Sequence, residues 1–534
     1  MIEYKPQWIQ KLLKIFDIKL IAFTIVCTFI MHGQILFQSI IWHDHLFSIN
    51  DVGPMIQNGR WFLDVINYLV GFLSGNEVLP VVNGLLSAVF IAFSACIVFS
   101  LFDINNKLIK YLLVLIFVSI PVIPSEFAYM SGAWQNMFGI FLAFLSCYIF
   151  VKGGLQDKTN KLKILALIAS AFVLSCSMGV YQCYLTIYLS VILIYYIFQC
   201  CNENFVFSKF ILTGLIYLSS AVFGLILYFV NLKIVLLLAG ASLSNYDNVD
   251  SFGITSFHNY LIRAKYCYKT FLDTDLWYTG NVFPFHFKGW YILLIGICMA
   301  SVILFLLICL VKKEIRKTIQ VLFLLFLFPL ALNFNYVMYG DVENGGEFAI
   351  HSLHMYQMVL LFVLPFVFLT NEHLLLSIKE LKRPWKNIQE IVYVVSGITI
   401  FLFGILYFRY DNYLYTLSEL RQQKALSFCT ELKTRIESYE GYDVRNKIVF
   451  VNEENMTDPA DDAIDARYDY PKTNPYSYYF VNGHLSLYLK DWLGYEPSYG
   501  NVEDFENLDE VKVMPSYPNA NSIKKIDDTI VVKF

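Results

Sequence analysis

The sequence predicts a polytopic α-helical membrane protein of about eleven transmembrane helices, with an outer juxtamembrane helix and a small carboxy-terminal extracytoplasmic α+β domain. Three observations predict it. Hydrophobic residues are 57% of the 534-residue chain and charged residues only 15%, too apolar for a water-covered surface. Roughly eleven runs approach the twenty or so apolar residues that cross a hydrocarbon core. Lys and Arg concentrate in alternate connections, as if on one side of a bilayer.

The spans fall near 19–41, 79–102, 108–124, 133–151, 163–180, 182–200, 210–231, 289–311, 318–339, 350–370 and 390–408. The fifth and sixth nearly touch through "SMGVYQC", so a tight turn or break must lie there. The first run is too long for a signal peptide and reads as a retained span. The basic stretches "YKPQWIQKLLK", "NNKLIK", "VKGGLQDKTNKLK", "VKKEIRK" and "SIKELKRPWKN" then share one side, which should be cytoplasmic. The amino end is expected inside and the carboxyl end outside. A transmembrane domain is expected over 1–408, with a first outer loop at 42–78 and a long outer loop at 240–288.

Net charge is −4, with no basic tail, so nothing points to nucleic acid. The eleven cysteines lie mostly inside apolar runs and read as small buried hydrophobes, without the paired spacing of a structural zinc. No phosphate-binding loop, GxSxG, HExxH or dinucleotide fingerprint occurs.

Two outer segments read as structured. Residues 54–73, "PMIQNGRWFLDVINYLVGFL", are amphipathic, and Pro54 suits a first helical turn. Arg60, Asp64 and Asn67 would share one face of a helix lying along the membrane surface. The tail, 409–534, is charged and rich in Tyr, Asn and Asp. Its "YTLSELRQQKALSFCTELKTRIESYE" reads as a helix, and "KIVFVN" and "TIVVKF" read as strands.

The first span runs directly into His43, Asp44 and His45. These residues have three readings: a hydrated span end, a general base at Asp44 acting near Arg60, or a divalent metal ion held by all three. Glu126 is the sole carboxylate in "PSEFAYMSGAWQN" and either lines the same cavity or is solvated. Arg263 and Lys265, in the long outer loop, break the charge trend; they suit a phosphate or pair with nearby Asp residues. Tyr181 and Gln182 either present polar groups to a cavity or satisfy the backbone freed by the break. For His351 and His354, helix-end packing or headgroup contact is the expectation.

The order of three motifs resembles the multi-span GT-C glycosyltransferases, and more narrowly the GtrII-type glucosyltransferases of bacterial surface polysaccharides. "HDHL" stands where that family tends to have paired aspartates, "NGRWF" follows at similar spacing, and "SMGVYQCYL" is similar to a small-Gly-hydrophobic-Tyr-Gln segment. Asp44 matches the first acidic position, and His45 stands in place of the second. The resemblance implies a protein of the bacterial plasma membrane. Its partners would be a polyprenyl-phosphate sugar donor and a glycan acceptor on the extracytoplasmic side. Asp44 would then be catalytic. His43, His45, Asn58, Arg60, Trp61, Glu126, Tyr181, Gln182, Arg263 and Lys265 are the candidates for contacting substrate. Two other classes stay open: a transporter or flippase of lipid-linked glycans, and a polysaccharide polymerase. No convincing two-fold repeat of the kind transporters use is present.

Overall fold

In the first helix, α1 (Ile18–Phe37), two buried threonines are satisfied within the helix, and His32 is satisfied by Val118 O at 2.9 Å. Thr24 Oγ1 donates to Leu20 O and Thr28 Oγ1 to Thr24 O, at 2.8 and 2.9 Å. A span in lipid must close its polar groups in this way. The computed structural model describes residues 15–38, 55–74, 78–154, 160–244, 256–272, 289–338, 352–381, 383–456 and 485–534. His43, Asp44, His45 and His351 lie outside the described residues.

After α1 come α2 (Trp61–Ser74), α3 (Pro80–Leu101), α4 (Lys107–Ser119), α5 (Val122–Ala128), α6 (Ala133–Gly154), α7 (Asn160–Val180), α8 (Leu185–Asn202) and α9 (Phe207–Ala239). The chain continues through α10 (Phe257–Leu272), α11 (Gly289–Val311), α12 (Ile315–Leu332), α13 (Asn335–Met338), α14 (Val359–Leu369), α15 (Glu372–Glu380) and α16 (Arg383–Glu437). Among the described residues ten helices are long and apolar enough to cross a membrane, or eleven with α4 and α5 counted as one span bent by 41°. The protein is a polytopic helical membrane protein of the architecture expected from the sequence.

Small residues set the packing. Ser146 on α6 and Ser170 on α7 each donate to the other's carbonyl, at 2.8 and 2.9 Å. A Cβ built on Gly224 would come 2.6 Å from Leu174, so α9 approaches α7 as closely as glycine allows. Large side chains such as Val26, Ile168, Leu218 and Ile319 are exposed, as befits faces turned toward lipid.

Three expectations need correcting. Residues 54–73 are not one helix. A 3-10 turn at Ile56–Asn58 ends on Gly59, whose φ of 77° only glycine adopts cheaply, and α2 starts afresh at Trp61. The last span and the tail helix are one helix of 55 residues, α16, because no Gly or Pro interrupts the chain between 408 and 415. The connection over 240–288 contains the helix α10, which the sequence does not signal because its aromatic and basic residues lack a long apolar run.

The chain divides into two compact units, and the division falls inside α16 between Asn412 and Tyr413. In the second unit, β1 (Lys447–Val451), β2 (Ile523–Ile526) and β3 (Thr529–Lys533) form a sheet of order β1-β3-β2. β1 runs parallel to β3, with Val449 opposite Val531, and β2 is antiparallel to it. Val449, Val451, Val511, Met514 and Val531 form its core. The strand β2 was not foreseen: "IKKI" is short and half polar.

Candidate active site

Two turns far apart in sequence interlock at one end of the helix bundle. The first is Met55–Arg60. Asn58 N and Gly59 N donate to Met55 O and Ile56 O at 3.0 and 2.9 Å. Asp64 Oδ1 accepts from Met55 N at 2.8 Å, tying the turn to α2. Partial burial pushes the Asp64 carboxyl above its ordinary range, opposed by the Met55 and Ile56 amides and by the charge of Arg60. Asp64 therefore serves the turn, rather than standing only as a surface partner of Arg60.

The second turn is Tyr181–Tyr184. Tyr181 is extended (φ −154°, ψ 127°) and Gln182–Tyr184 form a 3-10 turn before α8. This is the break expected within "SMGVYQC". Three contacts lock the turns together. Buried Gln182 donates Nε2 to Asn58 O at 2.7 Å, across 124 residues of sequence. The Arg60 guanidinium lies over the Tyr181 ring, 3.9 Å from its centre. A Cβ on Gly179 would meet Trp61 Nε1 and Cε2 at 2.7 Å, so the indole rests where only a glycine leaves room. Tyr228 on α9 closes the first turn from a third direction, donating to Gly59 O at 3.0 Å. Ser244 Oγ donates to Asn58 Oδ1 at 2.8 Å.

Around this lock the described groups are polar. Tyr181 Oη and His354 Nε2 are 2.8 Å apart. His354 is held in turn by Asn335, whose amide donates to its carbonyl, and Thr186 on α8 donates to Asn335. Helix-end packing or headgroup contact was expected of His354; the structure sets it against Tyr181, and no signal short of the fold would place it there. Arg263 is tied to the same short helix α13, donating to Val337 O at 3.4 Å. Lys265 is exposed on α10.

Glu126 is not in a loop: it is buried on α5, and its Oε2 accepts from Asn136 at 2.8 Å. Its Oε1 has no hydrogen-bond partner among the described residues. Glu126 and Arg60 both lie within electrostatic reach of Cys183 and Tyr184, and Arg60 within reach of Glu126. The structure thus gathers Asn58, Arg60, Trp61, Glu126, Tyr181 and Gln182 around one pair of turns. Arg60, Tyr181 and His354 remain half-exposed there, while Trp61, Glu126 and Gln182 are buried beneath. Chemically this is an oriented cation with polar neighbours at the mouth of an apolar bundle, an arrangement suited to an anionic group on a lipid.

An apolar groove of about 440 Å³ runs between α8, α9 and α12, lined by Leu189, Tyr196, Gly214, Leu218, Phe323 and Ala331 among others. Leu189 lies three residues past Thr186, and the lining residue Phe334 directly precedes Asn335. The groove therefore begins beside the residues that hold His354.

A family model described as "Glucosyl transferase GtrII" matches residues 33–366, well over half of the chain. The chain belongs to the GtrII glucosyl transferase family. The match takes in both interlocked turns, Glu126, His354 and the segment carrying His43, Asp44 and His45. No curated protein and no solved structure matches the chain. GtrII membership, with ten or eleven apolar helices, makes the protein a membrane glucosyltransferase that uses a sugar donor and an acceptor.

Proposed function

We propose that the protein moves one glucosyl group from a polyprenyl phosphate to a cell-surface polysaccharide, on the extracytoplasmic side of the bacterial plasma membrane. The observation that carries the reading is Arg60, oriented by Tyr181 at the end of an apolar bundle and half-exposed. The acceptor hydroxyl attacks the anomeric carbon and gives its proton to Asp44. The bond from that carbon to the phosphate oxygen breaks, and polyprenyl phosphate leaves. Arg60 binds the phosphate oxygens and stabilises the charge they gain. Arg263, on the neighbouring α10, is a second cation for the same phosphate. The apolar groove is of a kind to take the isoprenoid chain, with its head toward His354.

The expected orientation follows the basic connections: amino end cytoplasmic, residues 409–534 forming an extracytoplasmic α+β domain. All eleven native cysteines are buried, so single cysteines at exposed Lys161 and Val444 can report it with a membrane-impermeant thiol reagent. In intact cells Val444→Cys is expected to label and Lys161→Cys to be protected; the reverse pattern overturns the orientation.

Purified protein in liposomes, given radiolabelled glucosyl polyprenyl phosphate and a preformed acceptor glycan, tests the reaction. Transfer of single glucose residues without chain growth is expected. Movement of intact donor across the bilayer without transfer would show a flippase, and ladder-like chain growth would show a polymerase.

A further inference from the structure

At the end of the bundle away from Arg60, three helices bring unlike side chains to one point. Cys309 lies in the last turn of α11. The chain reverses through Lys313, whose φ is 60°, and Glu314 precedes α12. His373 sits in the first turn of α15, which Asn371 caps by accepting from Leu374 N at 3.3 Å. His373 Nε2 and Glu314 Oε1 are 3.0 Å apart, and the ligand atoms of Cys309, Glu314 and His373 all lie within 4.8 Å of one another.

We propose that Cys309, Glu314 and His373 form a transition-metal site, selective for Zn²⁺ among common cations, that staples the α11–α12 turn to α15. The spacing fits. Zinc bonds of about 2.0–2.3 Å in a tetrahedron put neighbouring ligand atoms roughly 3.3–3.6 Å apart, so small side-chain adjustments close the set. The donors fit as well: thiolate, imidazole and carboxylate together suit zinc rather than Mg²⁺ or Ca²⁺. The thiol proton goes to solvent on binding, leaving two anionic ligands to balance the dication. Three protein ligands leave the fourth position to water.

The competing account is an ordinary polar network. Lys317 Nζ is 3.4 Å from Glu314 Oε2 and donates to Cys201 O at 3.1 Å. That network takes in the Cys309 thiol, which also meets Glu314, but leaves His373 Nδ1 buried without a hydrogen-bond partner among the described residues. Lys317 contacts the other carboxylate oxygen, so Oε1 can face a metal while Oε2 keeps its ion pair.

The test uses the full chain in detergent, stripped with a chelator and reloaded with Zn²⁺ or Co²⁺. About one ion per chain should be retained after desalting, and the Co²⁺ form should show the near-ultraviolet absorption of a thiolate–cobalt bond. Cys309→Ser should abolish that absorption, and His373→Gln should weaken binding by roughly tenfold or more, since even outer partners of a metal site matter on that scale. Cys267→Ser, on α10, should change neither. Wild-type protein that retains no ion overturns the proposal without reference to any variant. So does a metal content and cobalt spectrum that Cys309→Ser and His373→Gln leave unchanged.

Discussion

Arg60 stacks on Tyr181 with its guanidinium carbon 3.9 Å from the ring centre, and the Tyr181 hydroxyl is 2.8 Å from His354 Nε2. The face of the ring orients a cation while its edge is fixed from the opposite part of the chain. A planar guanidinium on an aromatic face keeps its edge N–H groups available to an anion, which an ammonium group cannot match. The relationship links residues from each of the two turns and from the segment before α14.

Gly179 is the place where the two turns have no slack. Gly179→Val would drive a side chain into Trp61 and Phe62, whose atoms lie 2.7 Å from the built Cβ. Overpacking of this kind costs about 1–3 kcal/mol. The variant should melt earlier than the native protein, and its transfer rate should fall because Arg60 moves with Trp61. A Gly179→Val protein with native melting and native turnover would show that the turns are not coupled as described.

Gly214 lines the groove, and a Cβ there would sit 3.4 Å from Tyr196. Gly214→Leu should fill part of the space proposed for the isoprenoid chain. With a long-chain donor KM should rise by roughly tenfold, the scale of a methylene-sized misfit in an apolar pocket. With a donor of only two isoprene units the change should be small. An equal effect on both donors would remove the groove from the binding site.

Asp44 is the proposed base, and buried Glu126 is the control carboxylate. Asp44→Asn should lower turnover by roughly 10²-fold or more, as for loss of a general base, with donor binding retained. Glu126→Gln keeps the side-chain shape and an oxygen for Asn136, so its effect should be much smaller than that of Asp44→Asn. The opposite ranking in a steady-state transfer assay would move the base to Glu126.

Much of this was legible before the fold. Span lengths and the placement of Lys and Arg gave the helical membrane architecture, because a bilayer imposes length and apolarity on each crossing. "NGRWF" and "SMGVYQC" stood out as motifs, and the structure gives their residues shared work: Asn58 and Gln182 bond, Arg60 and Tyr181 stack, and Trp61 fills the room left by Gly179. What was not legible depends on distance in sequence. His354 touches Tyr181 across 173 residues, which no local pattern encodes. The 54–73 amphipathic pattern hid a left-handed Gly59, because periodicity reports which face is apolar and not where the backbone reverses. The strand "IKKI" lacked apolar alternation because its burial comes from pairing with β3.

Arg60 acting on the donor phosphate is the central proposal, and a substitution series at Arg60 is the most direct measurement of it. Asp64 accepts from Met55 N, so Asp64→Ala should cost stability of about 1 kcal/mol while leaving turnover within a few-fold. Arg60→Ala removes a charge-assisted contact to a leaving group, worth about 2.7–4 kcal/mol where such donors have been removed elsewhere, so initial transfer rates should fall by roughly 10²-fold or more. Arg60→Lys keeps the charge but loses the fork and should fall between. Initial rates in that order, with Asp64→Ala near wild type, are the predicted result. Arg60→Ala at near-native rate, or Asp64→Ala as damaging as Arg60→Ala, would contradict it.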